Sequence, residues 1–171
     1  MNNNLYKWWK NIDKVNFLII LAIAIIGIIL SFSINKNFSF YNKHLLYSSS
    51  SILLMAIISS MDVKLLRRFS LLGLFIFGVL LLLILFLDFE IKGSKRWIKI
   101  FGISIQPSEF IKPFFLLLSA WFLSQGIQGR KSYFTVLFIT FFILAGLIFV
   151  QPDFGMTFLF AASFFCQLFI A

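Results

Sequence analysis

The run Phe69-Ser-Leu-Leu-Gly-Leu-Phe-Ile-Phe-Gly-Val-Leu-Leu-Leu-Leu-Ile-Leu-Phe-Leu87 contains no charged side chain. It has the length of a membrane-spanning helix, which needs about 20 mainly apolar residues. The rest of the chain has the same character: 61% of its residues are hydrophobic, 12% are charged, and its mean hydropathy is +1.00. A soluble domain is roughly 45–50% apolar. We therefore expect the chain to reside in a bilayer.

Apolar runs of similar length recur before and after this one. Most are nearly free of polar residues, whereas the second contains Ser48 to Ser51 and is therefore weaker. We predict an all-α, polytopic membrane protein with about six transmembrane helices in a single membrane domain of residues 1–171. The predicted spans are approximately residues 15–34, 45–61, 69–89, 106–124, 132–150 and 154–171.

The positions of lysine and arginine between the predicted spans indicate the orientation of the chain. Eight basic residues fall on the side of the N-terminus and six on the opposite side. Because cytoplasmic loops carry the excess of positive charge, this bias predicts a cytoplasmic N-terminus. Four of the six residues on the outer side lie in one connection, between Lys92 and Lys99. That exception to the rule suggests that the loop binds something anionic.

The chemistry of this outer loop suits a phosphate ligand. Arg96 offers a planar fork to phosphate oxygens, and Lys95 and Lys99 add mobile point charges. Trp97 is placed to stack against a sugar or a prenyl group. The constellation fits a lipid-linked phosphate or pyrophosphate at the outer leaflet. The alternative is a basic loop that only touches anionic headgroups.

The segment Gln106-Pro-Ser-Glu-Phe-Ile-Lys112 predicts a helix start followed by charges at membrane depth. Pro107 is tolerated in a first helical turn, and Ser108 is able to cap it. Glu109 and Lys112 are three residues apart, so they share a helical face and can pair. Such charges are expected either to face a water-filled cavity or to form a structural ion pair between spans.

A second Gln-Pro segment, Gln151-Pro-Asp-Phe-Gly155, precedes the last predicted span on the same outer side. Pro152 and Gly155 predict a tight turn. Asp153 is expected to cap the following helix, where a negative charge is favoured by the helix dipole. Membership of an outward-facing site is an equal alternative, and the two roles are compatible.

Three of these segments together resemble the SEDS family of peptidoglycan glycosyltransferases, which includes FtsW, RodA and SpoVE. They occur in family order and with family spacing: Gly93-Ser-Lys-Arg-Trp-Ile98, Gln106-Pro-Ser-Glu-Phe-Ile-Lys112 and Gln151-Pro-Asp-Phe-Gly155. Further segments are similar to the FtsW branch, namely Trp8-Trp9-Lys-Asn-Ile-Asp13, Lys112-Pro113 and Ala120-Trp121. The resemblance covers nearly the whole chain but only about half of a family member.

The resemblance implies polymerisation of lipid II into glycan strands for septal wall synthesis. It implies that Arg96 and Lys112 bind the lipid II pyrophosphate and that Glu109 orients Lys112. Asp153 is then a polar or electrostatic participant at the mouth of an outward-opening cavity, and Arg96 and Trp97 lie near that cavity. The residues expected to support this site are Lys95, Gln106, Pro107, Ser108, Gln151, Pro152 and Gly155.

Partners and location also follow from the resemblance. It implies lipid II as substrate, a class B penicillin-binding protein with transpeptidase activity, and other divisome proteins. The expected location is the bacterial inner membrane, with a cytoplasmic N-terminus, at the division septum. No nucleic acid partner is expected. One His, one Cys and scattered carboxylates form no visible metal-ligand cluster, although a divalent cation is compatible with the resemblance.

The chain departs from the family in its length. Family members have about ten spans, and the expected catalytic Asp lies in a loop beyond residue 171, so no catalytic residue is assigned here. We expect a fragment, a truncated product or half of a split protein, without polymerase activity of its own. Two alternatives to a glycosyltransferase are a lipid II flippase and a non-catalytic scaffold of the division machinery.

Overall fold

The computed structural model describes Tyr6 and residues 8–10, 12–34, 38–86, 97–100 and 103–171. Long helices dominate these residues, so the predicted all-α class is confirmed. A short antiparallel hairpin of two strands is the one addition. The elements are α1 (Lys14–Ile34), α2 (Phe38–Ser59), α3 (Val63–Phe86), β1 (Ile98–Ile100), β2 (Ile103–Ile105), α4 (Pro107–Ile127), α5 (Ser132–Val150) and α6 (Phe154–Ile170).

Four of the described helices, α1, α3, α4 and α5, are long and apolar enough to cross a membrane. Helix α6 is apolar but has 17 residues, and α2 has 22 residues with a lower hydropathy because of its serines. The serine hydroxyls of α2 turn back to main-chain carbonyls, for example from Ser48 to His44 and from Ser51 to Tyr47. A polytopic helical membrane protein is thus confirmed.

Two helices begin earlier than their predicted spans. Helix α2 begins at Phe38 rather than at residue 45, and α3 begins at Val63 rather than at residue 69. Hydropathy marks only the part of a helix that lies in lipid, whereas helical hydrogen bonding continues into more polar flanking turns, which hold Lys43 in α2 and Lys64, Arg67 and Arg68 in α3. The predicted end of the third span at residues 87–89 lies outside the described residues.

The hairpin was not predicted, because each of its strands has only three residues and the pattern they form is short. Isoleucines at positions 98, 100, 103 and 105 alternate with polar or connecting residues. This period of two is typical of a strand. The two strands pair antiparallel, with Ile98 opposite Ile105 and Lys99 opposite Ser104. Only Gln106 separates β2 from α4, so the hairpin leads directly into the first turn of that helix.

The chain forms two compact units, residues 1–62 and residues 63–171. In the first unit α1 packs against α2. Asp13 caps α1, because its Oδ1 accepts the N–H groups of Val15 and Asn16 at 3.0 and 3.2 Å. The Trp8 indole N–H donates to Ser59 Oγ at 2.8 Å, which ties the N-terminal residues to the end of α2.

The second unit is built around α4, which packs against α3, α5 and α6. Its core is rich in phenylalanine. The rings of Phe141 and Phe164 stack with centroids 4.4 Å apart, and Phe115 lies 4.8 Å from Phe160. Large rings fill the space between helices and fix their separation. The most deeply buried apolar residues are Leu81, Ile111, Phe115, Leu137, Ile148, Phe160 and Phe164.

A close approach between α3 and α4 depends on Gly73. A Cβ atom at this position would lie 2.6 Å from Cζ of Phe114, and the Phe114 ring is itself stacked on Phe77 at 5.7 Å. Small residues permit such contact between membrane helices. We expect Gly73→Ala to lower the free energy of unfolding by about 1–3 kcal/mol, because the ring pair must move. Thermal unfolding in detergent micelles measures this.

Gly78 provides the matched control on the same helix. A Cβ atom there would meet Ile111 Cδ1 at 4.0 Å, which is ordinary contact. Gly78→Ala should therefore be neutral or stabilising by up to about 1 kcal/mol, from helix propensity alone. Equal stabilities of the two variants would show that Gly73 does not set the distance between α3 and α4.

Candidate functional site

The two Gln-Pro pairs of the sequence lie at the starts of α4 and α6, and their glutamines are buried. Gln106 is 7% exposed and its Nε2 donates to Asp153 Oδ2 at 2.9 Å. Gln151 is 3% exposed and its Nε2 donates to the main-chain carbonyl of Leu81 in α3, at 3.1 Å. A buried amide needs such partners. The pairs thus link the starts of α4 and α6 to each other and to the C-terminal part of α3.

Asp153 caps α6, as the sequence predicted. Its Oδ1 accepts the N–H of Met156 at 3.3 Å, and its main-chain carbonyl accepts the N–H and the hydroxyl of Thr157, both at 2.9 Å. The carboxylate is buried, with 7% of the residue exposed. The side chain therefore both caps α6 and joins it to α4. Its role toward a ligand remains a prediction.

The prediction that Ser108 caps α4 is wrong. Gln106 occupies the capping position with an extended backbone, and Pro107 follows in the first turn, so Ser108 already lies inside the helix. Its hydroxyl is buried, and among the described residues it has no hydrogen-bond partner. The side chain of Gln106 does not cap the helix either, because it reaches across to Asp153.

Lys112 contacts α6 rather than Glu109. Its Nζ lies 3.4 Å from Sδ of Met156, a neutral and weak acceptor. Glu109 is exposed one turn earlier, and within the described part of the chain no ion pair joins it to Lys112. The predicted pairing of these two residues is therefore not formed. The spacing of three allows it, but Met156 of the neighbouring helix holds the amine instead.

Met156 is the residue that sequence reasoning missed. It lies three positions after Asp153, so both face the same side of the first turn of α6. This spacing was the only signal, and it does not reveal which residue of α4 lies opposite. We call Gln106, Lys112, Asp153 and Met156 the α4–α6 cluster.

The backbone of α4 is locally altered beside the cluster. Pro113 lies inside the helix and has no N–H to give to the carbonyl of Glu109. That carbonyl therefore lacks its regular helical donor. Glu109 thus presents an exposed carboxylate and an altered main-chain acceptor at the same point of the helix.

The remaining predicted site residues have varied positions. Trp97 is half-buried and directly precedes β1, whereas Lys95 and Arg96 lie outside the described residues. Pro152 belongs to the exposed turn before α6. The prediction that Gly155 shapes this turn is wrong, because Asp153 starts the helix and Gly155 lies within it, where an added Cβ would meet nothing within 4 Å.

The cluster can attract an anion. Lys112 lies about 8 Å along α4 from the helix start, at the rise of 1.5 Å per residue. The thioether of Met156 is neutral, and among the described residues no carboxylate hydrogen-bonds to the Lys112 amine. A charge at such a depth is costly unless it has a function or a partner. Within the described residues no three side chains of His, Cys, Asp or Glu come together as metal ligands would.

These features define a polytopic helical membrane protein with a polar cluster at one end of its second unit. Residues 11–171 match the model of the FtsW/RodA/SpoVE family, which is described as "cell cycle protein". The chain belongs to this family. No solved structure matches the chain.

Curated relatives agree with the family. A probable peptidoglycan glycosyltransferase FtsW of Caulobacter vibrioides is 29% identical over 92% of this chain and 43% of its own length. A putative peptidoglycan glycosyltransferase FtsW of Mesostigma viride is 31% identical over 85% of this chain and 37% of its own length. A probable peptidoglycan glycosyltransferase FtsW of Thiomicrospira cyclica is 40% identical over 54% of this chain and 25% of its own length. The chain thus spans less than half the length of these relatives.

Proposed function

We propose that the chain forms the substrate-holding part of a peptidoglycan glycosyltransferase that polymerises lipid II during septal wall synthesis. The relatives bear the name of this activity. The observation that carries the proposal is the amine of Lys112, whose hydrogen-bond partner in the described part of the chain is the neutral thioether of Met156. A lipid pyrophosphate is an anion that enters from the membrane and would neutralise this charge.

In this proposal each cluster residue has a separate task. Lys112 binds a pyrophosphate oxygen as a point charge, and Met156 holds the amine in place before the ligand arrives. Asp153 and Gln106 fix the starts of α4 and α6 on either side. The exposed Glu109 contacts the substrate and orients Lys112 once the ligand has displaced Met156. Arg96 and Trp97 complete the site from the outer loop.

The group that activates the acceptor hydroxyl is proposed to lie beyond residue 171, so polymerisation requires a full-length version of the protein. We further propose the bacterial inner membrane as its location, with the N-terminus in the cytoplasm and the cluster facing outward. A class B penicillin-binding protein and other divisome proteins are the proposed partners at the septum.

Neutral replacement of the three charged residues together tests the proposal. In a full-length version, the triple variant Glu109→Gln, Lys112→Gln, Asp153→Asn should lose polymerisation of fluorescent lipid II, followed on gels. In this chain it should lose lipid II binding. Both losses follow from removal of the charges that hold the pyrophosphate.

The triple variant and the unaltered protein together distinguish the two alternative functions, a non-catalytic scaffold and a lipid II flippase. If cells and the purified protein tolerate the triple change, the protein is a scaffold and both lipid-handling functions are excluded. If the unaltered full-length protein moves lipid II across vesicles and forms no polymer, it is a flippase. Circular dichroism of the variant confirms that its helices are intact.

A further inference from the structure

A cleft lies away from the α4–α6 cluster, between the first turns of α3 and the last turns of α4. It has a volume of about 340 Å³, and its lining includes Lys64, Arg67, Leu117, Ala120 and Trp121. We call it the α3–α4 cleft. Arg67 and Leu81 are 14 residues apart on α3, which is about 21 Å at the helical rise. The cleft is therefore at the opposite end of the unit from the cluster.

The position of Arg67 prepares it for an anion. Its guanidinium carbon lies 4.6 Å from the centroid of the Trp121 ring. A cation held over an aromatic face is attracted by the ring and restrained in position, while the guanidinium N–H groups remain donors. Trp121 is in turn braced by Tyr133, whose ring centroid is 5.3 Å away. A guanidinium group can donate to two phosphate oxygens at once.

Among the described residues of the second unit, no acidic side chain is close to these cations in the sequence or at the same end of the helices. The sequence has no Asp or Glu from residue 63 to 86 or from 110 to 136. The described carboxylates of the unit, Glu109 and Asp153, lie at the other end, and Asp62 directly precedes α3 in the chain. Among the described residues Arg67 lies over Trp121, and neither Lys64 nor Arg67 hydrogen-bonds to a carboxylate. Within that part of the chain their charges are available to a ligand.

The cleft also lies at the depth of lipid headgroups. Helix α3 has 24 residues, so it is about 36 Å long, whereas the hydrocarbon core of a bilayer is about 30 Å thick. Its basic first turns therefore extend into the interface, while its apolar part begins at Phe69. Trp and Tyr, as at positions 121 and 133, favour the same depth.

We propose that the α3–α4 cleft binds the headgroup of an anionic glycerophospholipid. Arg67 and Lys64 contact the phosphodiester oxygens, and an acyl chain follows the apolar wall beside Leu117. Basic pockets between membrane helices are suited to such lipids. The site shares no residue with the α4–α6 cluster, so it stands whether or not the chain takes part in glycosyl transfer.

Native mass spectrometry of the purified chain tests the site. The protein is released from detergent micelles that contain phosphatidylglycerol and phosphatidylcholine with identical acyl chains, and the bound lipids are counted. We expect phosphatidylglycerol to be retained in preference. Arg67→Gln should lower its retention about fivefold, the effect of one basic residue near an anionic surface. Lys64→Gln is a second variant with the same expected direction.

Arg68→Gln is the matched control, because it removes an equal charge from the same turn but does not line the cleft. It should leave phosphatidylglycerol retention within about twofold of the unaltered protein, since Arg68 acts on the lipid only through long-range electrostatic attraction. If Arg67→Gln and Arg68→Gln lower phosphatidylglycerol retention equally, the preference comes from surface charge alone, and the proposed site is wrong. Absence of a lipid preference would overturn it too.

Inorganic phosphate distinguishes a lipid from a free anion. Millimolar phosphate should not displace phosphatidylglycerol, because it lacks the acyl chains that contact the apolar wall. Displacement would show a site for free phosphate and would contradict the proposal. Helical content and thermal midpoint, measured for each variant, separate a loss of lipid from a loss of fold.

Discussion

Lys112→Met should make the protein more stable and yet weaken its binding of lipid II. The substitution removes a charge from membrane depth, which costs roughly 2.5–3.5 kcal/mol on insertion scales, and places an apolar side chain beside Met156. It also removes a charge-assisted contact to pyrophosphate, which is worth about 1.5–3 kcal/mol. Binding of lipid II should therefore fall roughly tenfold to a hundredfold. Microscale thermophoresis and thermal unfolding measure the two effects.

Lys131→Met is the control for Lys112→Met. It removes the same charge from an exposed position at the start of α5, at the opposite end of the unit from the cluster. Neither binding nor stability should change appreciably. A structural role for Lys112 gives the opposite signature, in which Lys112→Met lowers stability and leaves lipid II binding intact. That result would refute the proposed pyrophosphate site.

Asp153→Ala should be strongly destabilising, whereas Asp153→Asn should not. Alanine removes the cap of α6, which is worth about 1 kcal/mol, and leaves the buried Nε2 of Gln106 without its acceptor, at about 1–3 kcal/mol. We expect a total loss of about 2–4 kcal/mol in the free energy of unfolding. Asparagine keeps a capping oxygen and can bond to the Gln106 amide in a flipped orientation. Reversible unfolding in mixed micelles measures the difference.

The pair of Asp153 variants also separates capping from a ligand role. If the charge of Asp153 acts on the substrate, Asp153→Asn retains stability and loses lipid II binding. If Asp153 is only a cap, Asp153→Asn retains both. A double-mutant cycle with Gln106→Ala gives the coupling energy between the two side chains. A coupling energy near zero would contradict a stabilising hydrogen bond from Gln106 to Asp153 between α4 and α6.

The apolar runs predicted the helices well, because lipid demands long segments whose backbone groups bond internally. The positions of Pro107 and Asp153 likewise predicted the starts of α4 and α6 to within one residue. The early starts of α2 and α3 escaped prediction, since hydropathy measures transfer to lipid and not helix formation. The strands at Ile98 and Ile103 were missed, although their alternating pattern was present.

The site was harder to predict, because its decisive contacts join residues far apart in the chain. The spacing of Glu109 and Lys112 correctly places them on one face of α4, but it does not indicate that Met156 lies nearer to the amine. The repeated Gln-Pro pairs were recognised as supporting residues. Their glutamine side chains donate hydrogen bonds to another helix, and these bonds depend on the packing of α3, α4 and α6.

The hydrogen bond from Gln151 to the Leu81 carbonyl has a mechanical consequence. It joins the turn before α6 to α3, and Asp153, two residues later, is joined to Gln106 at the start of α4. A tilt or sliding of any one of these helix ends must therefore break a buried hydrogen bond or carry the other two along. We therefore expect the three helices to move together here, so that a displacement of Lys112 by a ligand also shifts α3.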